Sequence, residues 1–161
     1  MTYAEAVRTI FFVLATVAFV LSMAAQVGGI AQLAKLGSER VDAATGTLLV
    51  STVAGASVIA RLIGGVVASR VRLILMTAVL SIVQGVSLGL MSVGESRTAL
   101  VLSTVLFGCT IGNLLMLQPL VLADRFGVAE YPKIYSVSQL IVTGLGVAGG
   151  PYLLGLSLIH I

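Results

Sequence analysis

Residues 9–34 read TIFFVLATVAFVLSMAAQVGGIAQLA and contain no charged side chain. A helix rises about 1.5 Å per residue and bilayer hydrocarbon is about 30 Å thick, so about 20 apolar residues can cross it. Four further stretches are also free of charge: residues 43–60, 73–94, 98–123 and 134–159. The sequence therefore predicts an all-α polytopic membrane protein with five transmembrane helices, at about residues 9–31, 44–68, 73–93, 98–122 and 134–158.

The overall composition agrees with lipid as the solvent of this chain. Charged residues make up 9% and hydrophobic residues 58% of the sequence, whereas an ordinary soluble domain carries about 25% charged residues. The apolar runs do not alternate with polar residues, so a membrane barrel is excluded and the lipid bilayer is the first expected partner. The one cysteine, Cys109, lies inside the fourth run and is interpreted as a small hydrophobic residue.

The positions of the cations predict the topology of the helices. With Arg61 set aside, five cations fall on the side of the N-terminus and three on the opposite side, which places the N-terminus in the cytoplasm. The first group is Arg8, Arg70, Arg72, Arg125 and Lys133, and the second is Lys35, Arg40 and Arg97. The connections at residues 35–42, 69–72, 94–97 and 124–133 are short, so we expect one up-and-down bundle, in the plasma (inner) membrane of a bacterium.

Arg61 is the charged residue that lies well inside a predicted span. An arginine at the centre of a membrane helix costs about 2.5–3.5 kcal/mol on insertion scales. One interpretation is that its guanidinium lines a water-filled cavity and binds an anionic substrate through two hydrogen bonds. The alternative is that the side chain extends toward the membrane interface and has no ligand.

Other polar residues recur at helical spacing in the predicted spans and are candidates for substrate binding. Ser57 precedes Arg61 by one turn, and the other candidates are Gln26, Asn113, Gln139 and Thr143. Each could instead join two helices through a hydrogen bond, which contributes about 0.6 kcal/mol on average. Both interpretations stay open at the level of the sequence.

Glycine pairs four residues apart predict sites of close helix packing. Gly108 and Gly112 share one face of the fourth span, and Gly146 and Gly150 share one face of the fifth. Pro119 and Pro151 each remove a backbone donor, so a kink or a local opening of the helix is expected near them.

Three motifs resemble the major facilitator superfamily of transporters. Gly65-Val-Val-Ala-Ser69-Arg70-Val-Arg72 is similar to the loop signature G-x-x-x-D-R-x-G-R-[RK] of that family, with Ser69 in the place of the acidic residue. Ala123-Asp124-Arg125-Phe126-Gly127, followed by Gly146-x-x-x-Gly150-Pro151-x-x-x-Gly155, resembles its tenth and eleventh helices. Ala60-Arg61-Leu-Ile-Gly64 is similar to the eighth helix of its monocarboxylate and oxalate/formate carriers.

The resemblance implies a function and a missing part. It implies that the spans are helices seven to eleven of a twelve-helix secondary transporter that works by alternating access. It also implies that Arg61 binds a substrate carboxylate, and that residues 65–72 and 124–125 take part in gating. By this comparison the chain is truncated, because the sixth helix of the half and the whole N-terminal half, its expected partner, are absent.

Two other functions remain open: an exporter of drugs or metabolites from the same superfamily, and a non-transporting membrane scaffold protein. An enzyme is not expected, because the spans hold no Ser/His pair, paired carboxylates or metal-ligand set. No cofactor or metal is expected. A nucleic-acid partner is not expected either, because the cations are scattered over both predicted faces.

Overall fold

A computed structural model describes residues 3–127 and 129–152, and these residues form helices and short connections without a strand. The helices are α1 (Tyr3–Ala6), α2 (Ile10–Arg40), α3 (Ala43–Ala68), α4 (Leu73–Val93), α5 (Arg97–Phe126) and α6 (Tyr131–Ile141). A π-helical segment, Val142–Val147, follows α6, and residues 148–152 are again α-helical. The prediction of an all-α protein is confirmed for this part of the chain.

Four of these helices, α2 to α5, are long and apolar enough to cross a membrane, which is the pattern of an integral membrane protein. Most of the apolar window of α5 is buried, whereas less than a quarter of each of the other three windows is. The exposed faces of those three carry aliphatic side chains such as Leu21, Leu62 and Ile82. Such faces suit hydrocarbon and not water, because exposed apolar area of this extent is unfavourable in water.

Polar residues just before three helices fix where those helices begin. The Thr9 hydroxyl accepts a hydrogen bond from the Phe12 N–H (3.2 Å), and the Asp42 carboxylate accepts one from the Thr45 N–H (2.6 Å). The Ser96 hydroxyl accepts a hydrogen bond from the Ala99 N–H (3.2 Å). Each pairs a backbone donor that the first turn of a helix leaves without a partner.

The structure differs from the sequence in the length of two connections. Residues 35–42 are predicted as a loop, but α2 continues to Arg40, where the charged pair Lys35 and Glu39 (3.8 Å) lies on successive turns. Residues 124–133 are also predicted as a loop, but α5 reaches Phe126 and α6 begins at Tyr131. A charge ends an apolar run without ending a helix, so both predictions were wrong in extent.

Glycine is required where α5 ends. Gly127 has a φ of 78°, in the left-handed region that side chains disfavour, and its N–H donates to the Ala123 carbonyl at 2.9 Å. This is the usual αL termination of a helix. The predicted turn at residues 69–72 lies between α3 and α4, and the one at residues 94–97 lies between α4 and α5 except for Arg97, which begins α5. The last predicted positions of the fifth span, residues 153–158, lie outside the described residues.

Two compact units divide the chain, and each has its own core. The first unit comprises Met1–Gly28 and Leu117–Ile161, and the second comprises Gly29–Met116. Ala6, Phe12, Leu122 and Ile134 are buried together in the first unit. The buried cluster of the second unit is larger and contains Leu33, Leu49, Val53, Met91, Leu100, Phe107 and Ile111.

Arg40, counted as a loop cation in the sequence, stabilises the end of α4 within the second unit. Its guanidinium donates to the carbonyls of Gly94 (2.8 Å), Ser92 (2.8 Å) and Met91 (3.2 Å). These are carbonyl groups at the C-terminal end of a helix, where a cation is favourable.

Protonation of Asp42 is expected to destabilise α3. The hydrogen bond from the Thr45 backbone N–H to its carboxylate holds the pKa of Asp42 below its ordinary value. A lowered folded-state pKa means that this stabilisation is present above the ordinary aspartate pKa and is lost as the pH falls through the folded-state value. Thermal unfolding in detergent, followed by circular dichroism, should show a lower Tm for Asp42→Ala at neutral pH.

The matched variant for this effect is Asp42→Asn, which keeps a capping oxygen and cannot titrate in this range. In acid, the Tm of the wild-type chain should fall more than that of Asp42→Asn. Equal losses of Tm on acidification would show that the Asp42 carboxylate does not contribute to the pH dependence.

Candidate functional site

Arg61 lies on the exposed side of α3, and its side chain contacts α5. Its Nε donates a hydrogen bond to the carbonyl oxygen of Gly112 at 3.1 Å. Among the described residues, its two terminal nitrogens have no hydrogen-bond partner. These two nitrogens are the pair that a guanidinium presents to a carboxylate in a two-pronged contact.

A glycine in α5 makes this contact possible. A Cβ at Gly112 would overlap the backbone carbonyl oxygen of Ser57, so the backbones of α3 and α5 lie in direct contact at this point. The close approach brings the Gly112 carbonyl within reach of the arginine Nε. Ser57 itself is half-buried, one turn before Arg61, as the sequence predicted for a residue on the same face.

Asn113 packs against α3 one turn beyond Arg61. Its Nδ2 donates to the Cys109 carbonyl at 2.9 Å, and its Oδ1 occupies the space that a side chain at position 64 would fill. Asn113 is 6% exposed, and its Oδ1 has no hydrogen-bond partner among the described residues. Asn113 is therefore brought close to Gly64, while the predicted role in binding is not tested by this geometry.

The predicted polar residues of the first unit form separate contacts. Gln26 is buried and has an interaction partner. The Gln139 Nε2 donates to the Thr143 hydroxyl at 3.0 Å, one turn along the same helix, whereas the buried Oε1 of Gln139 has no partner within the described residues. The prediction that these residues bind substrate stays a prediction.

A buried polar cluster in the first unit was not predicted from the sequence. The Ser138 hydroxyl lies 3.2 Å from the Thr16 hydroxyl and also accepts a hydrogen bond from the Gln118 Nε2 at 3.2 Å. Ser136, two residues earlier on this helix, is exposed, and its hydroxyl donates to the Pro132 carbonyl of the same helix at 2.7 Å. The signal was the spacing of Ile134, Ser138 and Val142, which are buried at every fourth position.

The glycine pairs of the sequence lie at close helix contacts. A Cβ at Gly108 would crowd Ala56 and Val53 of α3. A Cβ at Gly146 would crowd Met23 and one at Gly150 would overlap the Ala24 carbonyl oxygen, both in α2.

The two predicted proline sites differ. Pro119 lies inside the continuous helix α5. The expected local opening near Pro151 is present as the π-helical segment Val142–Val147. That segment ends at Val147, four residues before Pro151. In an α-helix the Val147 carbonyl would accept a hydrogen bond from the N–H of residue 151, and proline has no N–H to donate.

The residues of the loop motifs lie at helix ends. A side chain at Gly65 of α3 would meet no atom within 4 Å. The Ser69 hydroxyl donates to the Val66 carbonyl at 2.8 Å. Arg70 and Arg72 are exposed in the turn between α3 and α4. In the first unit Asp124 is exposed, and the Arg125 guanidinium lies 5.4 Å from the centre of the Phe11 ring, a cation–π contact. Gly155 lies outside the described residues.

The chain matches no protein-family model, and no match is found among curated proteins. Within the described residues, no three His, Cys, Asp or Glu side chains are grouped so that they could hold a metal ion. The candidate site therefore rests on Arg61 and the residues of α3 and α5 beside it.

Proposed function

We propose that this chain forms part of a secondary transporter of the major facilitator type, which carries a small carboxylate anion by alternating access. The observation that carries the proposal is Arg61, a guanidinium within a helix long and apolar enough to span a membrane, with both terminal nitrogens free of partners in the described residues. An arginine in such a helix is unfavourable by about 2.5–3.5 kcal/mol near the centre. Binding an anion in a hydrated cavity offsets that penalty.

In this proposal, the hydrogen bond made by the Arg61 Nε orients the two terminal nitrogens of the guanidinium. Because Nε is bonded to the Gly112 carbonyl, the plane of the guanidinium is restrained. A carboxylate can then receive two parallel hydrogen bonds from the terminal nitrogens without further ordering of the side chain. The half-buried Ser57 hydroxyl, one turn away, is proposed as an additional donor to the same anion.

A fifth span and a cytoplasmic N-terminus belong to this proposal. Residues 131–152 are helical throughout, including the π-helical segment, which is about 33 Å of helix and enough to cross the hydrocarbon. With five crossings, the excess of cations on the N-terminal side supports a cytoplasmic N-terminus. A helix with a local π opening also resembles the interrupted helices of transporters.

Uptake of a labelled monocarboxylate such as pyruvate tests the proposed substrate class. The complete reading frame that contains this sequence would be expressed in cells, and uptake would be competed with small carboxylates or with their neutral amides. The proposal expects competition by carboxylates and none by the amides. Competition by neutral lipophilic compounds alone would support an exporter with an apolar cavity instead.

One observation favours a second candidate, a membrane protein without transport activity. The Arg61 Nε already has a protein acceptor in the Gly112 carbonyl, so the arginine is explained in part as a link between α3 and α5. Absence of saturable uptake for any solute, together with loss of folding in Arg61→Lys, would support that structural role.

A further inference from the structure

A groove in the second unit shares Gly64 and Asn113 with the candidate site but is not lined by Arg61. It has a volume of about 580 Å³ and is bounded by α3, α5 and the first turn of α4. Its walls carry small and aliphatic side chains, among them Gly55, Ala56, Ile63 and Val105, and no charged side chain of the described residues lines it. Since Ile63 and Val105 are also exposed on helices that can span a membrane, hydrocarbon is the medium that reaches this groove.

The groove is elongated. Along α3 it extends from Thr52 to Val67, a rise of about 22 Å. Its volume spread over that length gives about 6 Å of width for the centre of a water-sized sphere, and therefore about 9 Å from wall to wall, close to the ~10 Å width of a helix with its side chains.

A turn with two arginines lies next to one end of the groove. Val67 and Met76 line this end, and the turn between them carries Arg70 and Arg72. Both arginines are exposed, and within residues 3–127 and 129–152 neither forms an ion pair. A phospholipid matches this arrangement, because its acyl chain is apolar like the groove and its charged headgroup lies at the membrane surface, as the two arginines do.

We propose that this groove binds one acyl chain of an anionic phospholipid, whose phosphate headgroup contacts Arg70 and Arg72. The site provides a fixed lipid position on the outer face of α3 and α5. This inference goes beyond the transport proposal and does not depend on it, because it uses neither Arg61 nor a substrate.

Native mass spectrometry of the detergent-purified chain tests the groove. The chain would be incubated with palmitoyl-oleoyl phosphatidylglycerol. The number of lipid molecules that stay bound would be read from the mass of the complex in the gas phase. Gly55 lines the groove and a side chain there meets no atom within 4 Å, so Gly55→Leu fills the groove without displacing protein. The control is Gly85→Leu, which is equally open but lies on α4 outside the groove.

The role of the two arginines is tested by the preference for phosphatidylglycerol over phosphatidylcholine with the same acyl chains. A cation near an anionic headgroup changes binding by about fivefold, so the Arg70→Gln/Arg72→Gln double variant should lose on the order of 25-fold in that preference. Arg97→Gln removes a cation at the start of α5, away from the groove, and should keep the preference for phosphatidylglycerol.

The inference is supported if Gly55→Leu loses the bound lipid, Gly85→Leu keeps it, and the double arginine variant binds both lipids equally. Three results would overturn it: lipid retention unchanged in Gly55→Leu, no preference for phosphatidylglycerol in the wild-type chain, or a chain dimer that Gly55→Leu dissociates. The last result would show that a second copy occupies this face.

Discussion

Gly112→Ala is expected to cause the largest loss of stability among single-methyl additions to the second unit. The new Cβ would overlap the Ser57 carbonyl oxygen, which belongs to the backbone of α3 and cannot move without shifting that helix. Overpacking of this kind costs about 1–3 kcal/mol. The shift would also lengthen the 3.1 Å hydrogen bond between the Arg61 Nε and the Gly112 carbonyl. Thermal unfolding in detergent, followed by circular dichroism, measures the effect.

Gly85→Ala is the matched control for this substitution. It also lies inside a helix, but a Cβ at Gly85 meets nothing within 4 Å. Alanine is favoured over glycine in a helix by about 1 kcal/mol, so Gly85→Ala should leave the Tm unchanged or raise it. Equal losses of Tm in the two variants would mean that α3 and α5 are not in backbone contact at Gly112.

Arg61→Ala is expected to abolish most carboxylate transport. Hydrogen bonds to a charged group contribute about 1.5–3 kcal/mol each, so loss of the two-pronged contact should lower the apparent substrate affinity on the order of 100-fold. Concentration-dependent uptake of labelled pyruvate by the complete reading frame measures this. The transport proposal is contradicted if the variant is inserted and folded yet keeps wild-type affinity for carboxylates.

Arg61→Lys separates the charge from the geometry of the guanidinium. Lysine keeps one positive charge but cannot donate two parallel hydrogen bonds, nor hold the Gly112 carbonyl through an Nε while binding an anion. We expect affinity between the values of the wild-type chain and Arg61→Ala. Arg97→Gln, which removes a cation outside the site, should transport as the wild-type chain does.

The helices could be predicted from the sequence because each long helix contains a run without charge. Their ends could not, because a charge stops membrane burial without stopping the helical hydrogen bonds. Lys35, Glu39 and Arg40 illustrate this point, since α2 includes all three. The sequence predicts a kink or a local opening near Pro151, but it does not predict that the helix takes the π form over Val142–Val147.

The candidate site could be predicted in part for a similar reason. An arginine inside a charge-free run is visible in the sequence, and Arg61 was found in this way. Its contact with Gly112 depends on how α3 and α5 pack, which spacing within one helix does not determine. The burial of Ser138 could not be predicted for the same reason, because the neighbouring helices decide which face of α6 is buried.

The central claim is that the guanidinium of Arg61 lies in a water-filled cavity that carboxylates enter. The most direct test places a single cysteine there, as Arg61→Cys, in a background where Cys109, the one cysteine of this sequence, and every cysteine in the rest of the complete reading frame are replaced by serine. A charged, membrane-impermeant thiosulfonate would be applied to the complete protein in vesicles. Leu62→Cys in the same background is the control, since Leu62 is 73% exposed on the same helix and is expected to face lipid.

We predict that the cysteine at position 61 reacts with the charged reagent, that carboxylate substrates slow the reaction, and that the cysteine at position 62 does not react. Reaction of position 61 with lipophilic maleimides alone, at the same rate as position 62, would contradict the account, because it would place the arginine against acyl chains.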